Sequence, residues 1–243
     1  MPRFATVIFD CDSTLSAVEG IDELAGPHRE ASAALTNAAM RGELRLEDVY
    51  GRRLELIRPT RAQVEALGRL YVERMVPDAR ETIAALRAEG IAVRIVSGGL
   101  LPAVRDVARA LAVPDEHVAA VDVRFDADGA FAGWEIGSPL ARSLGKRAQL
   151  ERWNVTLPRP VMIVGDGITD LEARPPADMF VAFAGVTARE PVLAAADAVI
   201  RVRSLAPVLR LALGNDEPRT PEARALLAKM PNDVVSATQL PMT

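Results

Sequence analysis

The sequence predicts an α/β fold, with a mainly parallel sheet at its centre and a small helical unit inserted after the first strand. Three observations carry that expectation. Ala5 to Phe9 is a short apolar run cut off by two acids, Asp10 and Asp12, and such runs mark strands buried on both faces. Residues 16–76 carry apolar side chains at three- and four-residue spacing, with almost no strand signal. From Pro77 onward short apolar runs alternate with helical stretches, the pattern of parallel strands joined by helical crossovers.

The elements follow in order. Within the insert, Ala31 to Met40, Leu46 to Ile57 and Gln63 to Met75 read as helices, with Thr60 a good N-cap for the third. Pro77-Asp78 ends the block. A helix over Asp78 to Glu89, closed by Gly90, leads to a strand at Ala92 to Val96 and a helix at Leu101 to Ala112. Val121 to Phe125 and Ala130 to Glu135, joined through Asp126-Ala127-Asp128-Gly129, read as a β-hairpin because Asp-Gly favours a tight turn. Lys146 stands at the start of a helix over Arg147 to Trp153. Further strands are expected at Val161 to Val164, Met179 to Phe183 and Ala198 to Ile200, and Gly214 closes the last core helix. The partition is a core of 1–15 and 77–214, a helical insert of 16–76 and a tail of 215–243. That tail, with one short helix over Pro221 to Lys229, is expected to pack on the surface or stay mobile.

Composition narrows the function. The 243 residues are 49% hydrophobic and 26% charged, ordinary for a globular chain long enough to bury a full core. A net charge of −4 argues against nucleic-acid and membrane-surface roles, and 4% aromatics leaves few stacking platforms for single strands. Cys11 is the only cysteine, so no intrachain disulfide forms. Asp10 cuts the first apolar run far short of a signal peptide, and no window approaches a membrane span. A soluble, cytoplasmic protein, monomer or homodimer, is expected.

Chemistry gathers at the strand ends. In a parallel sheet ligands bind just beyond the carboxyl ends of the strands, where Asp10 and Asp12 stand. Two acids there suit phosphoryl transfer, one attacking phosphorus and the other moving a proton. Ser97-Gly98-Gly99 follows the second strand, offering a hydroxyl and open backbone N–H groups to phosphate oxygens. Lys146 supplies a cation for a transferring phosphoryl group. Gly165-Asp166-Gly167-Ile168-Thr169-Asp170 adds two carboxylates which, beside Asp10, make a hard-oxygen site suited to Mg²⁺. Neither an EF-hand nor a P-loop spacing occurs. Cys11 reads as core packing, His28 and His117 as surface or turn residues, and Trp134 and Trp153 as packing residues.

The ordered set Asp10-x-Asp12-x-Thr14, Ser97, Lys146 and Gly165-Asp166-Gly167-x-x-Asp170 resembles the four motifs of the haloacid dehalogenase superfamily. The segment Glu19-Gly20-Ile21-Asp22-Glu23-Leu24-Ala25, with Ala39-Met40, Arg53-Leu54 and Pro175-Pro176-Ala177-Asp178, narrows the likeness to the branch that hydrolyses phosphoserine. The resemblance spans roughly residues 4 to 213. It implies a Rossmann-like core with a small helical cap.

By the same resemblance, Asp10 is the nucleophile that forms an aspartyl-phosphate, and Asp12 is the acid and base. Mg²⁺ is then held by Asp10, the backbone carbonyl of Asp12, Asp166 and Asp170, the last through a water. Ser97, Gly98 and Lys146 bind the phosphoryl group. Glu19 takes the substrate amino group and Arg53 its carboxylate, Met40 and Gly42 lie at the substrate's backbone region, and Thr169 is a polar neighbour of the phosphate. Arg41 departs from the family's usual glycine. The implied activity is hydrolysis of O-phospho-L-serine to L-serine and phosphate, the last step of serine biosynthesis. A related small-molecule phosphatase, or a phosphotransferase passing the group to homoserine, is the alternative. A non-catalytic binding protein on the same fold is the reading from another class, and the complete catalytic set argues against it.

Overall fold

Val7, Ile8 and Phe9 are wholly buried in β1 (Thr6–Phe9), and everything that positions the site radiates from this strand. The computed structural model describes residues 2–40, 44, 46–230 and 235–237. After β1 come α1 (Gly20–Ala25), α2 (Arg29–Met40), α3 (Leu46–Ile57) and α4 (Arg61–Glu73), then α5 (Ala79–Ala88), β2 (Ala92–Leu100), α6 (Leu101–Ala110) and β3 (Val118–Val121). A hairpin of β4 (Val123–Phe125) and β5 (Phe131–Trp134) precedes α7 (Gly145–Trp153), β6 (Val161–Gly165), α8 (Ile168–Glu172) and β7 (Met179–Phe183). The chain continues through α9 (Glu190–Ala195), β8 (Ala198–Ile200), α10 (Ala206–Leu213), α11 (Pro221–Ala228) and β9 (Val235–Ala237).

The main sheet runs β3-β2-β1-β6-β7-β8-β9, with the first six strands parallel and β9 antiparallel to β8. β1 pairs on one side with β2 (Phe9 opposite Ile95) and on the other with β6 (Phe9 opposite Val164). That register brings the carboxyl ends of the three central strands level, so Asp10, Ser97 and Asp166 come out on one edge. Strand order reverses at β1, where an α/β sheet opens its crevice.

Local chemistry explains the helix boundaries. Thr60 caps α4 reciprocally: its hydroxyl accepts the Gln63 N–H at 3.3 Å, and the Gln63 side chain accepts the Thr60 N–H at 2.8 Å. Gly90 follows α5, and Gly214 stops α10. In the hairpin, Asp126 Oδ1 accepts the N–H groups of Asp128 and Ala130 at 3.0 and 2.8 Å, which shapes the turn.

Three expectations need correcting. β2 does not stop at Val96; it continues to Leu100, its pairing with β3 slipping register between Val96 and Leu100, so Ser97-Gly98-Gly99 lies within an irregular strand instead of following it. Val121 is not part of the hairpin but ends β3, a strand whose Val-Ala-Ala-Val sequence is too alanine-rich to signal itself. The tail is more than a surface appendage. α11 packs on α5 with Ala223 and Leu226 buried, and β9 extends the sheet. Cys11 is buried in the core, Trp134 is buried against Tyr50, and His28 is exposed. Among the described residues, no helix is long and apolar enough to cross a membrane.

Candidate active site

Asp10 leaves the tip of β1, Asp166 follows β6, and Asp170 lies in α8. All three are buried, and each offers a carboxylate oxygen within 4.8 Å of the others. Lys146, in the first turn of α7, reaches between them: its Nζ is 2.7 Å from Asp10 Oδ1 and 2.8 Å from Asp170 Oδ1, with 6% of its side chain exposed. The Cys11 N–H also donates to Asp10 Oδ1 at 2.7 Å, and the Gly167 N–H to Asp170 Oδ2 at 3.1 Å.

Asp12 is held from three directions. Its Oδ1 accepts the Tyr71 hydroxyl at 2.5 Å and the Gly20 N–H at 2.6 Å, and its Oδ2 accepts the Ser97 hydroxyl at 3.1 Å. Ser97 is fully buried and accepts the Gly99 N–H at 2.9 Å, so the cavity wall beside it is made by Gly98 and Gly99. Beyond Asp12 the backbone is left-handed at Ser13 (φ 52°), and the Ser13 hydroxyl donates to Glu19 Oε1 at 2.7 Å.

Burial dominates the electrostatics. Asp12 is pushed up to about 6, first by burial and then by the Asp10 charge, with the Tyr71 and Gly20 hydrogen bonds pulling partly the other way. Asp166 and Asp170 are also raised, by burial and then by Asp10. Burial alone would lower Lys146, but the carboxylates of Asp10 and Asp170 outweigh it and hold the ammonium charged. The Cys11 thiol is raised by burial and by Asp12 and Asp10, which keeps it an inert neutral group. At the strand ends Lys146 pairs with Asp10 and Asp170, and Arg189 with Asp166, so three carboxylates meet two cations there. An all-oxygen donor set with surplus negative charge fits a hard divalent cation, and among the described residues Asp10, Asp166 and Asp170 are able to hold one.

The insert closes the other side of a cavity of about 730 Å³. Glu19, Arg53 and Thr169 all line it, as do Asp10, Asp12, Lys146 and Asp166. Arg53 Nε donates to Ser32 Oγ at 2.7 Å, and its terminal nitrogen pairs with Asp22. Met40 is the last residue of α2; Gly42 and Arg41 fall outside the described residues. The structure therefore brings Asp10, Asp12, Glu19, Arg53, Gly98, Lys146, Asp166 and Thr169 to one cavity, with Ser97 and Asp170 immediately behind its wall.

Sequence reasoning missed three participants. Arg189 donates through Nε to Asp166 Oδ2 at 3.0 Å and through a terminal nitrogen to Glu19 Oε1 at 3.3 Å. Its signal was its place in the loop beyond β7, on the same sheet edge as the acids. Tyr50 donates to the Gly98 carbonyl at 2.9 Å while packing 5.3 Å from Trp134, and Tyr71 grips Asp12. Both tyrosines sit at helical spacing among apolar residues, where an aromatic reads as core.

Comparison with known proteins agrees with this geometry. The haloacid dehalogenase-like hydrolase family model matches residues 4–178. The chain is 38% identical over 199 residues to the chloroplastic phosphoserine phosphatase of Arabidopsis thaliana, spanning 80% of this chain and 68% of that one. It is 37% identical over 192 residues to the phosphoserine phosphatase of Mus musculus, spanning 76% and 84%. A solved phospho-aspartyl intermediate analogue of phosphoserine phosphatase superposes with a TM-score of 0.69 at 28% identity, over 85% of this chain and 97% of that one. The chain belongs to the haloacid dehalogenase-like hydrolases, in their phosphoserine phosphatase branch.

Proposed function

We propose that the chain hydrolyses O-phospho-L-serine to L-serine and phosphate through a phosphoryl group carried on Asp10, with Mg²⁺ as cofactor. The observation that carries this reading is the single cavity in which Asp10 and Asp12 face Glu19 and Arg53. A carboxylate, a guanidinium and a phosphate-binding end are what a phosphorylated amino acid needs to be read in one orientation.

The steps follow from the residues. Lys146 and the Cys11 N–H both bind Asp10 Oδ1, which leaves Oδ2 to attack phosphorus. As the new O–P bond forms, the P–O bond to serine breaks, and the Asp12 carboxyl gives its proton to the departing oxygen. A serine alkoxide is a poor leaving group, so this proton is essential. Water then attacks phosphorus, returns a proton to Asp12, and releases Asp10 and phosphate. Lys146 and the backbone of Gly98 hold the phosphoryl oxygens through both steps. Asp10, Asp166, Asp170 and the Asp12 carbonyl would hold Mg²⁺. When bound, Mg²⁺ supplies the neutralisation that lets a phosphate dianion approach a carboxylate. Glu19 and Arg53 orient the amino acid, and the helical insert, acting as a cap, excludes water from the first step.

The test is phosphate release from L-phosphoserine, phosphothreonine, phosphoethanolamine, glycerol phosphate and a sugar phosphate, with and without Mg²⁺, beside Asp10→Asn. Metal-dependent preference for L-phosphoserine, absent from Asp10→Asn, is the expected result. Preference for another ester would overturn the pocket assignment, and no metal-dependent release would overturn the chemistry.

A further inference from the structure

The grip on Asp12 comes from a phenol that the reaction as described leaves without a task. Tyr71 lies in the last turn of α4, is wholly buried, and donates to Asp12 Oδ1 at 2.5 Å. The space it occupies exists because two residues lack side chains. A Cβ on Gly20 would fall 2.0 Å from the phenol oxygen; one on Gly99 would fall 3.3 Å from that oxygen and 2.8 Å from Asp12 Oδ2. Two glycines from separate elements therefore leave room for one hydroxyl.

The bonding pattern divides the carboxyl group in two. Oδ1 accepts both the Tyr71 O–H and the Gly20 N–H, so its lone pairs are engaged. Among the described residues, Oδ2 meets only the Ser97 hydroxyl, at 3.1 Å. α4 packs along α6 on the core side, which ties the phenol to the sheet rather than to α2 or α3.

We propose that Tyr71 is a positioning residue for the acid: its hydroxyl pins Asp12 Oδ1 and so confines the transferable proton to Oδ2, aimed at the leaving oxygen. This inference rests on the reading of Asp12 as the acid given above. In the first step the Oδ2–H bond breaks and an O–H bond forms on serine as the P–O bond opens. In the second step the proton of the attacking water returns to Oδ2.

Tyr71→Phe keeps the ring and removes only the hydroxyl. It is compared with wild type and Asp12→Asn on L-phosphoserine and on p-nitrophenyl phosphate, whose leaving group departs without a proton. The expected result for Tyr71→Phe is a fall in kcat on phosphoserine of about ten- to a hundredfold, with KM changed by less than about twofold. First-turnover release of p-nitrophenolate should stay within about twofold of wild type, since that step uses no acid. Equal losses on both substrates, or no loss on phosphoserine, would overturn the proposal.

Asp12→Asn separates the two readings. If it loses phosphoserine turnover selectively while Tyr71→Phe behaves as wild type, only this inference fails. If Asp12→Asn shows no such selectivity, the acid assignment fails and the inference with it. Should Tyr71→Phe not fold, Gly20→Ala displaces the same hydroxyl and is expected to give the same substrate-selective loss; equal losses there would overturn the proposal.

Discussion

Glu89 and Thr220 stand 131 residues apart and join the end of one helix to the start of another. Glu89 Oε1 accepts the Thr220 N–H at 2.7 Å and its hydroxyl at 2.9 Å, while Arg219 donates to both carboxylate oxygens at 2.8 and 3.1 Å. Glu89 follows α5 and is 1% exposed. A carboxylate at the carboxyl end of a helix is disfavoured by the helix dipole, but here it also faces the N-terminus of α11, where the dipole favours it.

That bond set predicts an acid-sensitive clasp. Burial raises the Glu89 carboxyl, yet the hydrogen bonds from Thr220 and Arg219 outweigh it and leave it below its ordinary value. A carboxyl depressed in the folded state stabilises above its unfolded value and loses that contribution as pH falls through the folded one. Glu89→Gln should therefore cost about 2 kcal/mol at neutral pH. The gap in Tm from wild type should shrink as pH falls through the lowered folded-state value, as thermal melts across pH would show.

On the proposed function, substrate recognition divides between two charges. Arg53→Ala should raise KM for phosphoserine by about tenfold or more, while phosphoethanolamine, which has no carboxylate, is turned over nearly as before. Glu19→Ala should weaken both, because both carry an ammonium group. Steady-state kinetics on the two esters distinguishes these roles.

Lys146 lies between Asp10 and Asp170 and, among the described residues, is the one buried cation. Lys146→Ala should lower phosphoserine turnover by about a hundredfold or more, since it removes a preorganised cation from the transferring group. Phosphate release at saturating substrate is the measurement.

A chain ending at Gly214 loses the partners of Glu89 and uncovers the surface on which Ala223 and Leu226 are buried. It should melt well below the full chain, with a carboxylate left unpaired. Thermal melts of the two chains side by side would show whether the tail is needed.

The residues whose chemistry is local were legible in the sequence. Asp10, Asp12, Asp166 and Asp170 follow apolar runs, and Lys146 stands at the start of a helix, so period and strand ends placed them. What was not legible depends on long contacts. Tyr71 meets Asp12 across 59 residues, Tyr50 meets Gly98 across 48, and Arg189 meets Glu19 across 170. Each side chain taken alone looks like packing or a surface charge. β3 escaped because alanine carries little strand preference, and β9 because its three residues, Val235–Ala237, are too few to show alternation.

The reversal of direction at β9 has a consequence for how copies of this chain behave towards one another. A row of identical parallel strands ending at β8 would present unpaired amide and carbonyl groups to any passing strand. Closing that margin with another parallel strand would need a long crossover, whereas a chain returning from α11 can lie down antiparallel at once. On this side of the sheet the edge strand is the three-residue β9, too short to template a neighbour, so it blunts the margin that β8 would otherwise offer.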